Sequence, residues 1–239
     1  MPAKPGTTLQ ERRDGLGLSV ALSTLWYHLR RLGLRFKKPL KAAEQGRPDV
    51  RLERALWQAR PPLWAPAHLV FVDETALNTA MVRLWGWGSC GARVQGAVPQ
   101  GHWETATLFL AVRQAGLRAP MVTAGAMNGA LFLASVKEFL CPTLAAGDLV
   151  IWDNLSVHQV AGVREAMEAR GATLQALPPD SSDLNPMEPV LAKLKAGMRA
   201  AGERTVEGLW KMLGKLLDEF PPAECANFLK GAGYAVQAN

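Results

Sequence analysis

The stretch Asp148-Leu-Val-Ile-Trp-Asp-Asn-Leu-Ser-Val-His158 decides how the rest of the chain is read. Leu149 to Trp152 form a short apolar run, the mark of a buried strand. The run starts after a turn at Gly147-Asp148 and ends by presenting Asp153 and Asn154. A carboxylate at the C-terminal mouth of a buried strand stands on a rigid scaffold, where α/β proteins commonly hold reactive groups. Many strands end in Asp, so this one gains weight from two others. Leu69-Val-Phe-Val-Asp-Glu-Thr75 is a second β-branched and aromatic run that stops at a carboxylate, Asp73. In Leu177-Pro-Pro-Asp-Ser-Ser-Asp-Leu-Asn-Pro-Met-Glu-Pro189, Asn185 fits a helix N-cap and Pro186 the first helical position. That puts Glu188 in the first turn of a helix. Three convergent carboxylates suit hard divalent cations such as Mg²⁺, which take oxygen ligands and keep several waters.

Around these acids the pattern runs strand, strand, strand, helix, strand, helix, strand, helix. The first three strands are expected at Leu69–Val72, Val82–Trp87 and Thr105–Val112. Asn128 caps a helix running to Leu140, and Val160–Ala169, Pro186–Ala200 and Thr205–Phe220 read as further helices, with a strand at Thr173–Leu177. Three antiparallel strands followed by alternating helices and strands predict an α/β mixed sheet flanked by helices. Glu74 should point to the face opposite Asp73.

Ahead of this region the chain is helical. A short helix from Thr8 to Asp14, capped by Thr7 or Thr8, breaks at Gly15 and Gly17. A second helix ends at Gly33, with Leu22, Leu25, Trp26, Leu29 and Leu32 along one face. Its other face offers Ser23, Thr24, Tyr27, His28, Arg30 and Arg31. A short helix, a break and a basic amphipathic helix resemble a helix-turn-helix, whose second helix enters the DNA major groove; any small helical hairpin is the alternative. Lys37, Lys38 and Lys41 lie in a basic connector suited to following a phosphate backbone. A helix from Asp49 to Arg60, carrying Val50, Leu52, Leu56 and Ala59 inward, ends at Pro61 and Pro62. The expected domains are 1–35 (partial helix-turn-helix), 36–66 (basic linker and helix) and 67–239 (catalytic).

Charge supports the division. Residues 1–60 hold 13 Lys and Arg against 5 Asp and Glu, a local +8, whereas the remainder holds 14 against 16, or −2. Such a concentration suits double-stranded DNA, although a solvated basic face is the bland alternative. No apolar stretch approaches the length of a membrane span, and the N-terminus lacks the apolar segment of a signal peptide. Cys90, Cys141 and Cys225 are scattered and odd in number, against a disulfide framework or zinc site; they read as small buried fillers. A reducing cytoplasm fits best.

FVDET, IWDNLSVH and LPPDSSDLNPMEPVLAKLK, with 34 residues between Asp153 and Glu188, resemble the three signature blocks of the insertion-sequence-630 transposases. These are bacterial relatives of the mariner transposases. The resemblance runs from about Leu18 to Tyr234 and implies a ribonuclease H-like fold preceded by helix-turn-helix modules, of which only one fits here. It implies that Asp73, Asp153 and Glu188 hold two Mg²⁺ ions, with Mn²⁺ as substitute, Asp73 bridging both. Two such ions can clamp the attacking and leaving oxygens of an in-line phosphodiester displacement. Asn154, His158 and Asn185 become supporting residues: the first two position DNA or brace Asp153, and Asn185 caps the Glu188 helix. The implied activity is strand cleavage at inverted-repeat ends and transfer into a TA target by a homodimer on DNA, in the bacterial nucleoid.

The chain departs from the family's Pro-Pro-Tyr-Ser-Pro-Asp-Leu-Asn-Pro run at Asp180 and Ser182. Pro189, following Glu188, removes an amide that would bond to the capping residue's carbonyl, unless the helix starts later. An inactive DNA-binding remnant and a ribonuclease H-type nuclease are therefore the competing readings. Trp85, Trp87 and Trp103 could stack on bases, but such spacing more often marks core.

Overall fold

The computed structural model describes residues 8–34, 43–60, 64–87, 89–91, 93, 95–153 and 160–234. The chain divides into two compact units, Met1–Glu44 and Gln45–Asn239. Among the described residues no helix is long and apolar enough to cross a membrane.

The first unit holds α1 (Leu9–Gly15) and α2 (Leu22–Arg31). A capping box starts α1: the Thr8 hydroxyl accepts the Glu11 amide at 3.2 Å, and the Glu11 carboxylate accepts the Thr8 amide at 2.7 Å. Gly17, in the left-handed region at φ 62°, lets the Leu18 amide turn back to the Arg13 carbonyl and close the helix. Along the apolar face of α2 only Leu25 is buried, while Leu22, Trp26 and Leu32 stay exposed. Two helices this short cannot cover one another's apolar surface.

The second unit is built on a five-stranded sheet in the order β3-β2-β1-β4-β5. Its strands are β1 (Leu69–Asn78), β2 (Thr105–Arg113), β3 (Gly116–Ala124), β4 (Leu149–Trp152) and β5 (Thr173–Ala176). β1, β2 and β3 pair antiparallel, and β4 and β5 join parallel to β1. Helices cover both faces, as the alternating pattern predicts: an α/β mixed sheet of ribonuclease H-like type, preceded by small helices. On one face Leu69, Phe71, Leu77 and Ile151 pack with α6 (Met187–Ala201), α7 (Val206–Leu217) and α8 (Pro222–Gly231). Trp57 of α3 (Pro48–Gln58) joins this core. On the other, Val70, Val72, Val150 and Trp152 meet α4 (Gly129–Ser135), its π-helical continuation Val136–Leu140, and α5 (Val163–Glu168). Phe71 and Ile151 are wholly buried, each contributing roughly 1.5–3 kcal/mol of apolar transfer.

The structure corrects several expectations. Val82–Trp87 is not a strand; Leu84, Trp85 and Trp87 project into solvent, and Trp103 is also exposed. The third antiparallel strand is β3, which sequence hides: Pro120 and the left-handed Ala119 interrupt its pattern, and both are tolerated because β3 is an edge. β1 extends beyond Val72 through both acids to Asn78. The inward face of α3 is Val50, Arg54 and Trp57, with Leu52 and Leu56 exposed. The 4-and-3 spacing selects that stripe and carries an arginine inside. Cys141 and Cys225 are buried, but Cys90 is exposed.

Candidate active site

Strand register brings the first two acids together. In the parallel ladder Leu69 lies opposite Leu149, Val70 opposite Val150 and Phe71 opposite Ile151. The pairing ends there; continued two residues past the paired stretch, the same register would bring Asp73 level with Asp153, whose charge does act on Asp73. Side chains alternate across a sheet, so Asp73 and Asp153 share the face of Phe71 and Ile151, toward α6, and Glu74 takes the face of Val72.

Asn185 closes the site from the third element. Its side-chain N–H donates to the Asp73 carboxylate at 3.1 Å, while its Oδ1 accepts the Met187 amide at 3.0 Å. One amide thus caps α6 and holds Asp73. Helix α6 begins at Met187 rather than Pro186, and the Glu188 amide bonds to the Asn185 carbonyl at 3.2 Å. Pro189, third in the helix, therefore falls where its missing N–H costs little. Glu188 stands in the first turn, exposed to solvent.

The electrostatics follow from crowding. Burial first, then the charges of Asp153 and Glu74, push the Asp73 carboxyl up to about 7, against smaller lowering by the Glu74 backbone N–H and the Asn185 side chain. Those two hydrogen bonds come from neutral amides. A half-buried carboxylate beside another is a donor set suited to a hard divalent cation, which would relieve the repulsion. Among the described residues, no three of His, Cys, Asp and Glu gather closely enough to enclose a metal ion. Asp73 feels the Asp153 charge; Glu188 follows three residues after Asn185, which touches Asp73, without joining the two acids in such a group.

The loop that delivers Asn185 and Glu188 is fastened along its length. Gln45 donates to the Asp180 carbonyl, where Asp180 takes a left-handed conformation at φ 53° with its side chain toward solvent. Arg54 donates to the Ser181 hydroxyl at 2.7 Å and forks onto both Asp183 carboxylate oxygens at 2.8 and 2.7 Å. Tyr234 donates its hydroxyl to the Leu184 carbonyl at 2.8 Å and accepts the Trp57 indole N–H at 3.0 Å. Sequence reasoning missed Arg54; Val50 and Trp57, seven apart, were the signal that Arg54 shares their stripe.

Asn154 and His158 lie outside the described residues, as do Lys37, Lys38 and Lys41. In the other unit, Ser23, Thr24, Tyr27, His28, Arg30 and Arg31 are all exposed on α2. Arg30 lies over the Trp26 ring at 4.9 Å and Arg31 over Tyr27 at 5.9 Å, which limits where both cations can swing.

A family described as DDE superfamily endonuclease matches residues 68–209, more than half of the chain. None of the curated proteins matches. Among solved structures, the Mos1 strand transfer complex gives a TM-score of 0.67 at 17% identity, covering 98% of this chain and 76% of that one. The Mos1 transposase paired-end complex with the left transposon end gives 0.66 at 16% identity, covering 98% and 77%. The catalytic domain of Mos1 mariner transposase gives 0.57 at 13%, covering 82% and 93%. At these identities the likeness is one of fold.

Proposed function

The chain belongs to the DDE superfamily of endonucleases, and from that premise we propose that it is a transposase of the insertion-sequence-630 group. It cuts DNA at the inverted-repeat ends of its element and joins them to target DNA, at TA. The observation that supports this reading is the hydrogen bond from Asn185 to Asp73, a carboxyl on which the Asp153 charge also acts.

In this reading Asp73, Asp153 and Glu188 would hold two Mg²⁺ ions, replaceable by Mn²⁺, with Glu188 drawn to the pair by the ions themselves. Such ions supply an activated oxygen nucleophile and charge stabilisation at the leaving oxygen. The chain's own residues do the rest. Asp73 and Asp153, fixed by the sheet, present a negative pair at one depth. Asn185 directs one Asp73 oxygen, and Asn154 and His158 position DNA or brace Asp153. Residues 1–35 read the element ends through Ser23, Thr24, Tyr27, His28, Arg30 and Arg31. Residues 36–66 follow the backbone through Lys37, Lys38 and Lys41, and 67–239 carry the chemistry. Mos1 transposase forms a paired-end complex with its transposon end, which supports action as a homodimer on double-stranded DNA; the setting in this reading is the bacterial cytoplasm and nucleoid.

The test is cleavage of a plasmid carrying the gene's own flanking DNA in Mg²⁺, Mn²⁺ or EDTA, with Asp153→Asn alongside. Metal-dependent nicks at the element boundary, absent in the variant, are expected. Salt-sensitive binding without cutting would replace this reading with an inactive remnant. Cutting of RNA–DNA hybrids without end preference would make the protein a ribonuclease H-type nuclease.

A further inference from the structure

Arg54 sits on α3, outside the strands and helix that carry the acids, yet it is 9% exposed and spends its guanidinium on a single loop. That loop ends in Asn185, whose amide touches Asp73. Trp57, one turn along the same stripe of α3, reaches the loop through Tyr234 and the Leu184 carbonyl. Arg54 and Tyr234 thus hold Ser181, Asp183 and Leu184, leaving Asn185 little freedom. A bidentate guanidinium–carboxylate pair fixes orientation as well as distance, and a carbonyl held by a buried hydroxyl cannot rotate away without losing its partner.

We propose that Arg54, with Trp57 and Tyr234, is a positioning device for the acidic site. It clamps the Ser181–Asn185 loop so that Asn185 meets Asp73 and α6 starts with Glu188 in its first turn. This rests on the reading of Asp73, Asp153 and Glu188 as metal-holding acids. It assigns a role to Asp183 as the loop's handle.

The experiment uses the full chain and two readouts. One is Mn²⁺ affinity, from the paramagnetic signal of free ion; the other is the side-chain amide resonance of Asn185 in metal-free protein, with its exchange protection. Arg54→Gln should weaken Mn²⁺ binding about 10- to 100-fold, the effect typical of groups that orient metal-holding residues, and expose the Asn185 amide to exchange. Tyr234→Phe, which keeps the ring and loses one hydroxyl, should act in the same direction but less. The reversed pair Arg54→Asp with Asp183→Arg should recover part of both readouts. Unchanged affinity and an unchanged Asn185 amide in folded Arg54→Gln would overturn the proposal, leaving Arg54 a fold-stabilising residue only. If Arg54→Gln does not fold, Tyr234→Phe decides by the same two readouts. Should the unaltered protein bind Mn²⁺ no better than Asp153→Asn, the metal reading fails, and the Asn185 amide still decides the clamp.

Discussion

Two carboxylates withdrawn from solvent on the same sheet, Asp148 before β4 and Asp73 within β1, have opposite company. Asp148, just before β4, is 0% exposed. The Arg113 guanidinium pairs with it, the His68 ring lies 3.2 Å away, and the Ala145 amide donates at 2.8 Å. Asp73 has two amides and, facing it, more carboxylate. Burying a charge is costly unless it is paired. At Asp148 a guanidinium offsets the cost; at Asp73 the hydrogen bonds among the described residues come from neutral amides. The first arrangement holds the loop before β4 to the end of β2, while the second leaves negative charge for a ligand to neutralise.

Four measurements would break or sharpen this contrast. The largest effect should come from Asp153→Asn. Losing several kcal/mol of charge stabilisation at the reacting phosphate, at about 1.36 kcal/mol per tenfold, lowers cleavage about a thousandfold or more. The folded protein should persist, since removing one of two repelling carboxylates relieves strain; intact melting with lost nicking is the expected pair of results. Next, Arg113→Ala should destabilise by about 3 kcal/mol, because it strands the buried Asp148 charge; a urea midpoint within error of the unaltered protein would abolish the distinction.

Third comes pH. Asp73 keeps its proton to about 7 in the fold, against an ordinary value of 3.8. The folded chain therefore binds more protons than the unfolded one between those limits. The contribution of Asp73 to stability should fall as pH rises from about 4 to about 7, on the order of 4 kcal/mol, and stay level beyond. Asp73→Asn should flatten that slope in metal-free protein, and Mg²⁺ should raise Tm more at pH 8 than at pH 5. The smallest effect belongs to His68→Ala: with its side chain half exposed, it should cost under about 1 kcal/mol, measured by the same urea midpoint.

Both ends of this contrast were legible in the sequence to different depths. Runs ending in Asp73 and Asp153 announce strands, and Glu188 in a first helical turn follows from Asn185 and Pro186; its part as third acid comes only from the resemblance. Opposite faces for Asp73 and Glu74 follow from pleating alone. Partners from distant segments were hidden: nothing near Asp148 names Arg113, and nothing near Asp183 names Arg54. Edge strand β3 was hidden because Pro120 and Ala119 suit an edge and disguise a strand. Trp85, Trp87 and Trp103 misled in the other direction, since their apolar bulk suggests core whereas the segment between β1 and β2 holds them in solvent.

The parallel ladder between β1 and β4 also sets which changes the chain can absorb. The two acids meet because strands pair, so the length of chain separating them in sequence is immaterial to their meeting. The hairpin of β2 and β3, the exposed tryptophan segment and the α4 region can gain or lose residues between relatives while the acids stay level. A single residue gained between Ile151 and Asp153, without a compensating bulge, would turn that carboxylate through the sheet toward the face of Val150 and Trp152. Length variation among descendants of this gene should therefore collect between the strands and stop short of their last two residues.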